Sequence, residues 1–336
     1  MWLLCLPIPL LFVITMAACL ASQIVKNSFT YRYGSAFDKY VFISLGALVT
    51  VITLILLAKI DCVSLYTALM ACAFGVLCLL QSFFMLKAFE YGSFAYTTVI
   101  ASLSTIIPAL SGAIFFGETI SLVQIIGICL MIACFFLCVN YDKKQENSEK
   151  NESSNKRQIN AADKQNHKNK TLKWLIYVGI TFLTTGGIGV MQKVHQSSPY
   201  KAELNAFLVI SFGVCMIISA VMAFKKRNTR FEITDCNSEN QKSEKSALTS
   251  TAIKKRGVSY YIIIVLSGLS VAFNNFINLY LSGKVDSAIF FPLVNGGGLV
   301  LVTLCALIIY KEKLTLKQWI GIVVGVISVI LLGNPF

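Results

Sequence analysis

Ten long apolar runs, separated mostly by short polar connections, follow one another along the chain. Each run has about the 20 mainly apolar residues that a helix needs to cross a bilayer, where lipid offers the backbone no hydrogen-bond partners. The pattern therefore predicts an all-α polytopic membrane protein with ten transmembrane helices. The predicted spans are Trp2–Val25, Val41–Ala58, Val63–Leu86, Ser93–Phe116, Ile120–Val139, Leu172–Gln192, Glu203–Phe224, Val258–Ser282, Asp286–Tyr310 and Thr315–Gly333.

Two of the connections are long and polar, rich in Lys, Asn, Gln, Ser and Glu and nearly free of aromatic residues. They cover Asn140–Thr171 and Lys225–Gly257. Such segments cannot bury enough apolar surface to order themselves, so they are predicted to be solvated linkers. The chain then divides into a first half, 1–139, a linker, 140–171, and a second half, 172–336, that carries the polar insertion 225–257.

The composition excludes an ordinary soluble protein. Hydrophobic residues make up 56% of the 336 residues and charged residues 13%, against about 25% charged in a typical soluble domain. The mean hydropathy is +0.71. The apolar run at Leu3–Ala21 resembles a signal peptide, but no Lys or Arg precedes it, so a retained first span is expected.

The positive charge is distributed unevenly between the two sides of the predicted membrane. Of the 29 Lys and Arg residues, 25 fall on the side that holds the loops after the odd-numbered spans, and 4 fall on the other side. The positive-inside rule places loops 140–171 and 225–257 in the cytoplasm and both termini outside. The formal charge of +13 thus indicates anionic lipid headgroups as a partner, and no nucleic acid.

A short segment occurs twice, at an offset of 194 residues. Gly117–Gly127 and Lys311–Gly321 agree at five of eleven positions, and each copy joins the fourth span of a five-span half to the fifth. The same offset pairs Gln81 with Asn275. Because each half has an odd number of spans, the second copy enters the membrane from the opposite side. Inverted repeats of this kind are common in secondary transporters.

These residues resemble the drug/metabolite transporter superfamily, in particular its EamA-like ten-span members. Leu86–Tyr91 and Pro108–Gly127 carry the resemblance in the first half; in the second, Lys311 replaces the glycine of the turn and Val302 stands in the place of Pro108. The resemblance implies ten helices arranged as two inverted five-helix repeats and a role in transport, but it names no substrate. Similar proteins usually keep both termini inside, which is opposite to the charge bias.

Polar side chains deep in a span are functional hypotheses, because lipid makes them costly. Here they are amides and hydroxyls, since every Asp and Glu lies in a loop or near a span end. Such groups suit a polar, neutral or zwitterionic solute, although amides also hold neighbouring helices together. Asn275, about 100° around its helix from Asn274, is expected to act on stability instead. The predicted substrate-binding residues are Gln81, Tyr96, Asn274, Asn278 and Asn295.

Glycine and proline interrupt two spans that correspond in the repeat. Span four contains Pro108, and span nine contains Pro292 followed by Gly296, Gly297 and Gly298. Paired interruptions point to a central binding site with hinges, although the glycines would equally suit close helix packing. Glu118 and Glu312 open spans five and ten, where a carboxylate complements the helix dipole, so they are predicted to be structural turn residues.

Other chemistry has little support in the sequence. Nine of the eleven cysteines lie in apolar runs and there is no CxxC pair, which is typical of buried cysteines that act as small hydrophobes. Neither His167 nor His195 has a metal partner nearby, and no phosphate-binding glycine loop is present. We therefore expect no metal, no cofactor and no enzymatic activity.

The sequence thus predicts a secondary transporter, an exporter or exchanger, that moves a small polar metabolite by alternating access. Proton-coupled multidrug efflux is the alternative, favoured by the aromatic content but weakened because span one lacks the buried glutamate that small multidrug members of the superfamily use. A non-transporting scaffold or an intramembrane enzyme is a third option. The expected partners are a small-molecule substrate and the lipid bilayer of the plasma membrane. A homodimer is left open.

Overall fold

A computed structural model of the chain describes residues 7–57, 63–92, 94–117, 121–139, 161–236, 257–287, 289–291, 293–294, 297–298, 301 and 316–332. Helices make up nearly all of these residues, and none of them lies in a strand. A short 3-10 turn, Lys201–Glu203, precedes α8. The helices are α1 (Ile8–Arg32), α2 (Ala36–Leu57), α3 (Leu65–Tyr91), α4 (Phe94–Leu103), α5 (Ile106–Phe116), α6 (Leu122–Val139), α7 (Ala161–Gln196), α8 (Leu204–Cys236), α9 (Val258–Ser282) and α10 (Leu316–Leu332).

Six stretches of the described helices are long and apolar enough to cross a membrane, and they confirm a helical membrane protein. They lie in α1, α2, α3, α7, α8 and α9, which correspond to predicted spans one, two, three, six, seven and eight. Predicted span four corresponds to α4 and α5 together, span five to α6 and span ten to α10. These helices are shorter, with 10, 11, 18 and 17 residues.

Large apolar side chains cover the outside of the helical assembly. Leu56, Leu122 and Val258 are 81%, 79% and 76% exposed, which would be unfavourable in water but suits contact with lipid tails. The interior is also apolar over much of its volume. Phe74 of α3 and Phe207 of α8, for example, are fully buried and pack with ring centroids 5.0 Å apart.

Each long helix packs against defined neighbours. Helix α1 contacts α9, α3 contacts α7 and α8, α2 contacts α8 and α9, and α6 contacts α10. Small residues and hydroxyls occupy the crossings, as in other membrane proteins. The Thr50 hydroxyl of α2 donates to the Gly268 carbonyl of α9 at 3.0 Å, and the Ser328 hydroxyl of α10 donates to the Gly127 carbonyl of α6 at 2.7 Å.

The helix that forms span four is interrupted one turn before its proline. Pro108 lacks an N–H group, and its ring crowds the carbonyl four residues earlier, that of Ser104. The backbone N–H groups of Ser104 and Thr105 donate three residues back, to Ala101 at 3.2 Å and Ser102 at 3.3 Å, instead of four. The chain therefore changes from α4 to α5 at Ser104–Thr105, inside the apolar region.

The repeated segment begins α6 with a reciprocal cap. Gly117 ends α5 in the left-handed conformation, with φ 64°. The Gln124 side-chain oxygen accepts from the Ser121 N–H at 2.9 Å, and the Ser121 hydroxyl accepts from the Gln124 N–H at 3.3 Å. This is a capping box, so the repeated glutamine has a structural role at the first copy. The predicted turn residues Glu118 and Glu312 lie outside the described residues.

Several helices extend beyond their predicted ends, and three of them do so furthest. Helix α1 continues past Val25 to Arg32, α7 already begins at Ala161, and α8 continues to Cys236. The prediction that all of 140–171 and 225–257 lacks structure is therefore wrong for 161–171 and 225–236. Helical hydrogen bonds are local, and Lys, Gln, Ala and Glu are favourable in helices, so a helix can continue outside the bilayer. The rest of both linkers lies outside the described residues.

Candidate functional site

A cavity of about 140 Å³ lies between the central turns of α1, α3, α7 and α9 and the break between α4 and α5. Its size is close to that of an engineered cavity of roughly 150 Å³ that holds benzene. Both halves of the chain contribute to the wall. The first half supplies residues from Cys19 to Pro108, and the second supplies residues from Thr185 to Phe291.

Three of the five predicted substrate-binding residues line this cavity together. They are Gln81 of α3 and Asn274 and Asn278 of α9, and the predicted hinge residue Pro108 lies beside them. The backbone of Tyr96 belongs to α4, but its side chain lies outside the described part of the chain.

Most of the predicted span-nine residues fall where the structure describes nothing. Asn295, Pro292 and Gly296 lie outside the described residues. Gly297 and Gly298 are described but do not belong to the cavity wall. A Cβ atom on Gly297 would lie 2.7 Å from the Met16 methyl group of α1, so this glycine allows close packing.

The amides of α9 also bond to α1. The Thr15 hydroxyl, which is fully buried, lies 3.0 Å from Asn278 Oδ1 and 3.2 Å from Asn274 Oδ1. One hydroxyl has one hydrogen, so it donates to one of these oxygens at a time. The Asn278 amide nitrogen donates to Asn274 Oδ1 at 3.1 Å. The two amides therefore line the cavity and also connect α9 to α1. Their positions are compatible both with solute binding and with holding neighbouring helices together.

Thr15→Val is expected to lower the free energy of unfolding by about 0.6 kcal/mol, the average for a hydrogen bond between membrane helices. Valine keeps the shape of threonine and removes the shared donor. The change can be measured as a melting temperature in detergent. Thr53→Val is the matched control, because the Thr53 hydroxyl donates only along its own helix, to Val49 at 2.7 Å. Equal losses in both variants would contradict a bridge between α1 and α9.

Asn275 lines the cavity as well, so the expectation that it points elsewhere is wrong. Its Nδ2 donates to the Val271 carbonyl at 3.0 Å, and its Oδ1 lies 3.5 Å from the Gln192 amide nitrogen of α7. The cavity spreads over more of the α9 surface than one helical face. Asn275 therefore reaches the cavity wall even though it lies about 100° around the helix from Asn274.

Sequence reasoning missed the contribution of α1 to the site. Ser22, Gln23 and Lys26 line the cavity, and Lys26 is only 6% exposed. The predicted span ended at Val25, so Lys26 was assigned to a loop. The useful signal was the spacing of Cys19, Ser22, Gln23 and Lys26, which places them on one face of a helix that continues past Val25.

Hydroxyl groups from the α4–α5 break complete the wall. Ser102, Ser104 and Thr105 line the cavity, and the Ser104 hydroxyl donates to the Ala101 carbonyl at 2.6 Å. Two buried polar atoms at the wall have no hydrogen-bond partner within the described residues. They are Gln23 Oε1 of α1 and Thr185 Oγ1 of α7. The cavity therefore has unused hydrogen-bonding capacity, which water or a bound solute would satisfy.

The described residues include no group of three His, Cys, Asp or Glu side chains able to hold a metal ion. His195 stacks on Phe207, with ring centroids 4.3 Å apart. Cys78 and Cys72 are free thiols; Cys78 is buried, as predicted, whereas Cys72 is exposed.

Comparison with known proteins identifies a similar fold but does not indicate a function. No family model and no curated protein matches this chain. Among solved structures, a crystal structure described only as that of a protein matches 96% of this chain and 97% of its own, with a TM-score of 0.60 and 12% sequence identity. At such low identity the similarity shows a shared fold alone.

Proposed function

We propose that this chain is a secondary transporter that moves a small polar solute across the plasma membrane by alternating access between two inverted five-helix repeats. The cavity carries this proposal. Amides, hydroxyls and a lysine form part of its wall, it lies within helices that are apolar on the outside, and both halves of the chain contribute to it. A solute site between two repeats is the arrangement that lets one repeat move against the other around it.

The helix contacts support an inverted repeat. A twofold relation between the halves exchanges spans one and six, two and seven, three and eight, and five and ten. It therefore converts the contact of α1 with α9, between spans one and eight, into that of α7 with α3, between spans six and three. It also converts the contact of α2 with α9, between spans two and eight, into that of α8 with α3, between spans seven and three. All four contacts occur. It leaves the contacts of α2 with α8 and α6 with α10 unchanged, and these occur too.

Close glycine contacts follow the same relation. Gly75 of α3 meets the Ser211 backbone of α8, and Gly268 of α9 meets the Gly46 carbonyl of α2. These are contacts between spans three and seven and between spans eight and two, which the twofold exchanges. The twofold thus relates two helix crossings that both contain a closely packed glycine. A duplicated unit is expected to have such a pair, which supports the ten-span arrangement.

The interrupted fourth span supports movement near the solute. Ser104, Thr105 and Pro108 line the cavity at the point where α4 changes to α5. Discontinuous helices at substrate sites are a recurring feature of transporters with inverted repeats. Proton-coupled drug efflux has less support, because the described residues of the wall include amides, hydroxyls and one lysine but no carboxylate.

The experiment combines binding with transport. Metabolites that raise the melting temperature of the purified protein are selected, because a ligand of the native state stabilises it. Each is then tested in proteoliposomes loaded with the unlabelled solute. Labelled solute outside is expected to accumulate transiently by exchange. Binding without exchange would indicate a binding protein or an enzyme instead, and a requirement for a pH gradient would favour proton-coupled efflux.

Gln81→Leu is expected to weaken binding and exchange roughly two- to twelve-fold, the effect of losing one hydrogen bond of about 0.5–1.5 kcal/mol. Leucine keeps the approximate size of glutamine and removes both polar atoms. Gln124→Leu is the control, because it removes the same amide from the α6 cap, away from the cavity. Equal exchange per folded molecule in Gln81→Leu and the unmodified protein would contradict this site.

A further inference from the structure

Lys26 is a basic side chain buried within a helix that is apolar enough to cross the membrane. It lies in α1, is 6% exposed and lines the cavity. A lysine placed in a membrane helix carries a penalty of a few kcal/mol unless a partner or water compensates it. Lys39, a fully buried lysine of α2, has such a partner, with Glu90 Oε2 2.6 Å from its ammonium nitrogen.

No carboxylate among the described residues is within ion-pair distance of Lys26. The ionisable groups around it are the thiols of Cys19, Cys78 and Cys215, which are neutral in their usual protonated form. Among the described residues, the cavity therefore has a buried basic group and no carboxylate to balance its charge. A buried cation of this kind is a functional hypothesis whose missing partner must be identified.

The surrounding polar atoms indicate the rest of the ligand. Within the described part of the chain, the buried carbonyl oxygen of Gln23, on the same face of α1, has no hydrogen-bond partner, and the buried hydroxyl oxygen of Thr185 of α7 has none either. The amide oxygen accepts a hydrogen bond, and the hydroxyl donates or accepts one. A ligand with an anionic group beside hydroxyl or N–H groups would satisfy all three side chains.

We infer that the solute of this cavity carries a carboxylate or phosphate group that pairs with Lys26, and hydroxyl or N–H groups that bond to Gln23 and Thr185. This inference rests on the proposed function and specifies its substrate class as small organic anions. It differs from the neutral or zwitterionic solute that the amides alone predict, because Lys26 adds a basic group to the cavity wall. A cavity of about 140 Å³ admits a molecule of only a few heavy atoms beside the lysine.

The test uses anions as probes of purified protein in a nonionic detergent. Inorganic phosphate, lactate and acetate are expected to raise the melting temperature at constant ionic strength, whereas glycerol and ethanolamine are not. Lys26→Met is expected to weaken the anion effect about 10- to 100-fold, as for the loss of a charged hydrogen bond. Lys26→Arg should retain it. Short-chain phosphatidylglycerol is tested beside phosphatidylcholine, so that a lipid headgroup acting on Lys26 is distinguished from a free anion.

The stability of the unliganded variants separates binding from structure. Without added anions, Lys26→Met should melt at the same temperature as the unmodified protein or higher, because it removes an unbalanced buried charge. Lys193→Met is the control: Lys193 is 8% exposed but lies outside the cavity wall, and it donates to the Val285 carbonyl at 3.5 Å. It should leave anion binding unchanged.

Three results of the melting experiments would overturn the inference. They are no stabilisation by any anion, equal stabilisation of Lys26→Met, and a large loss of stability in Lys26→Met without ligand. Failure of the transport proposal is a separate result. Anion binding that depends on Lys26 but produces no exchange in proteoliposomes would reject transport and retain the anion site. Exchange of an uncharged solute that Lys26→Met leaves intact would retain transport and reject the anion site.

Discussion

Gly75→Ala is expected to lower the free energy of unfolding by about 1–3 kcal/mol, the usual effect of forcing extra atoms into a packed interior. The added Cβ would overlap the backbone carbonyl oxygen of Ser211 and lie 3.1 Å from the Val214 Cβ. A side chain could rotate away, but a backbone carbonyl in the middle of α8 cannot. Helices α3 and α8 would have to separate along their whole contact.

Gly213→Ala provides the matched control for this substitution. Gly213 lies on α8 beside the same contact, yet a Cβ atom there would meet no heavy atom within 4 Å. Alanine is favoured over glycine within a helix by up to about 1 kcal/mol, so this variant should be unchanged or slightly more stable. Melting temperatures in the same detergent measure both effects. Equal melting temperatures for the two variants would contradict the close contact at Gly75.

Glu90→Gln is expected to lower the free energy of unfolding by roughly 2–4 kcal/mol, because it leaves the buried Lys39 charge without its carboxylate. The Lys39 side chain is fully buried, whereas that of Glu90 is 31% exposed, which reduces the effect below that of a fully buried pair. The Lys39 ammonium group also donates to the Gly34 carbonyl at 2.7 Å, and that bond remains. The melting temperature and the yield of folded protein in detergent are the measurements.

Lys87, the second lysine paired with the Glu90 carboxylate, provides the control for this prediction. Lys87 lies 3.1 Å from Glu90 Oε2 in a more exposed pair, so Lys87→Ala should change stability by less than about 1 kcal/mol. The difference between the two variants isolates the contribution of burial. A loss in Lys87→Ala as large as that in Glu90→Gln would show that the buried partner does not control the stability of this pair.

The hydrophobic pattern of the chain is enough to identify a helical membrane protein. A membrane helix forms all of its backbone hydrogen bonds internally, and its apolar side chains contact the lipid directly. Both properties can therefore be recognised within one stretch of about 20 residues. The amides Gln81, Asn274 and Asn278 were selected by the same local argument, since polar groups stand out in apolar helices. The structure brings these three to one cavity wall.

Helix ends were less predictable, because hydrophobicity marks where lipid ends and not where hydrogen bonding ends. Helix α1 continues through Lys26 to Arg32, and this continuation places the lysine in the interior. The apolar run that predicts the first span ends at Val25, so the sequence alone places Lys26 in a polar loop. The charge of a side chain therefore did not indicate its location.

Which polar residues share a cavity, and which of them have partners, depends on the packing of helices against one another. Asn275 belongs to the wall although the helical angle argued against it, and Lys39 is balanced by Glu90 from another helix while no described carboxylate pairs with Lys26. Such relations join residues far apart in the chain. They depend on how helices cross, which is set by close contacts such as that of Gly75 with Ser211 and cannot be obtained from the pattern of any single helix.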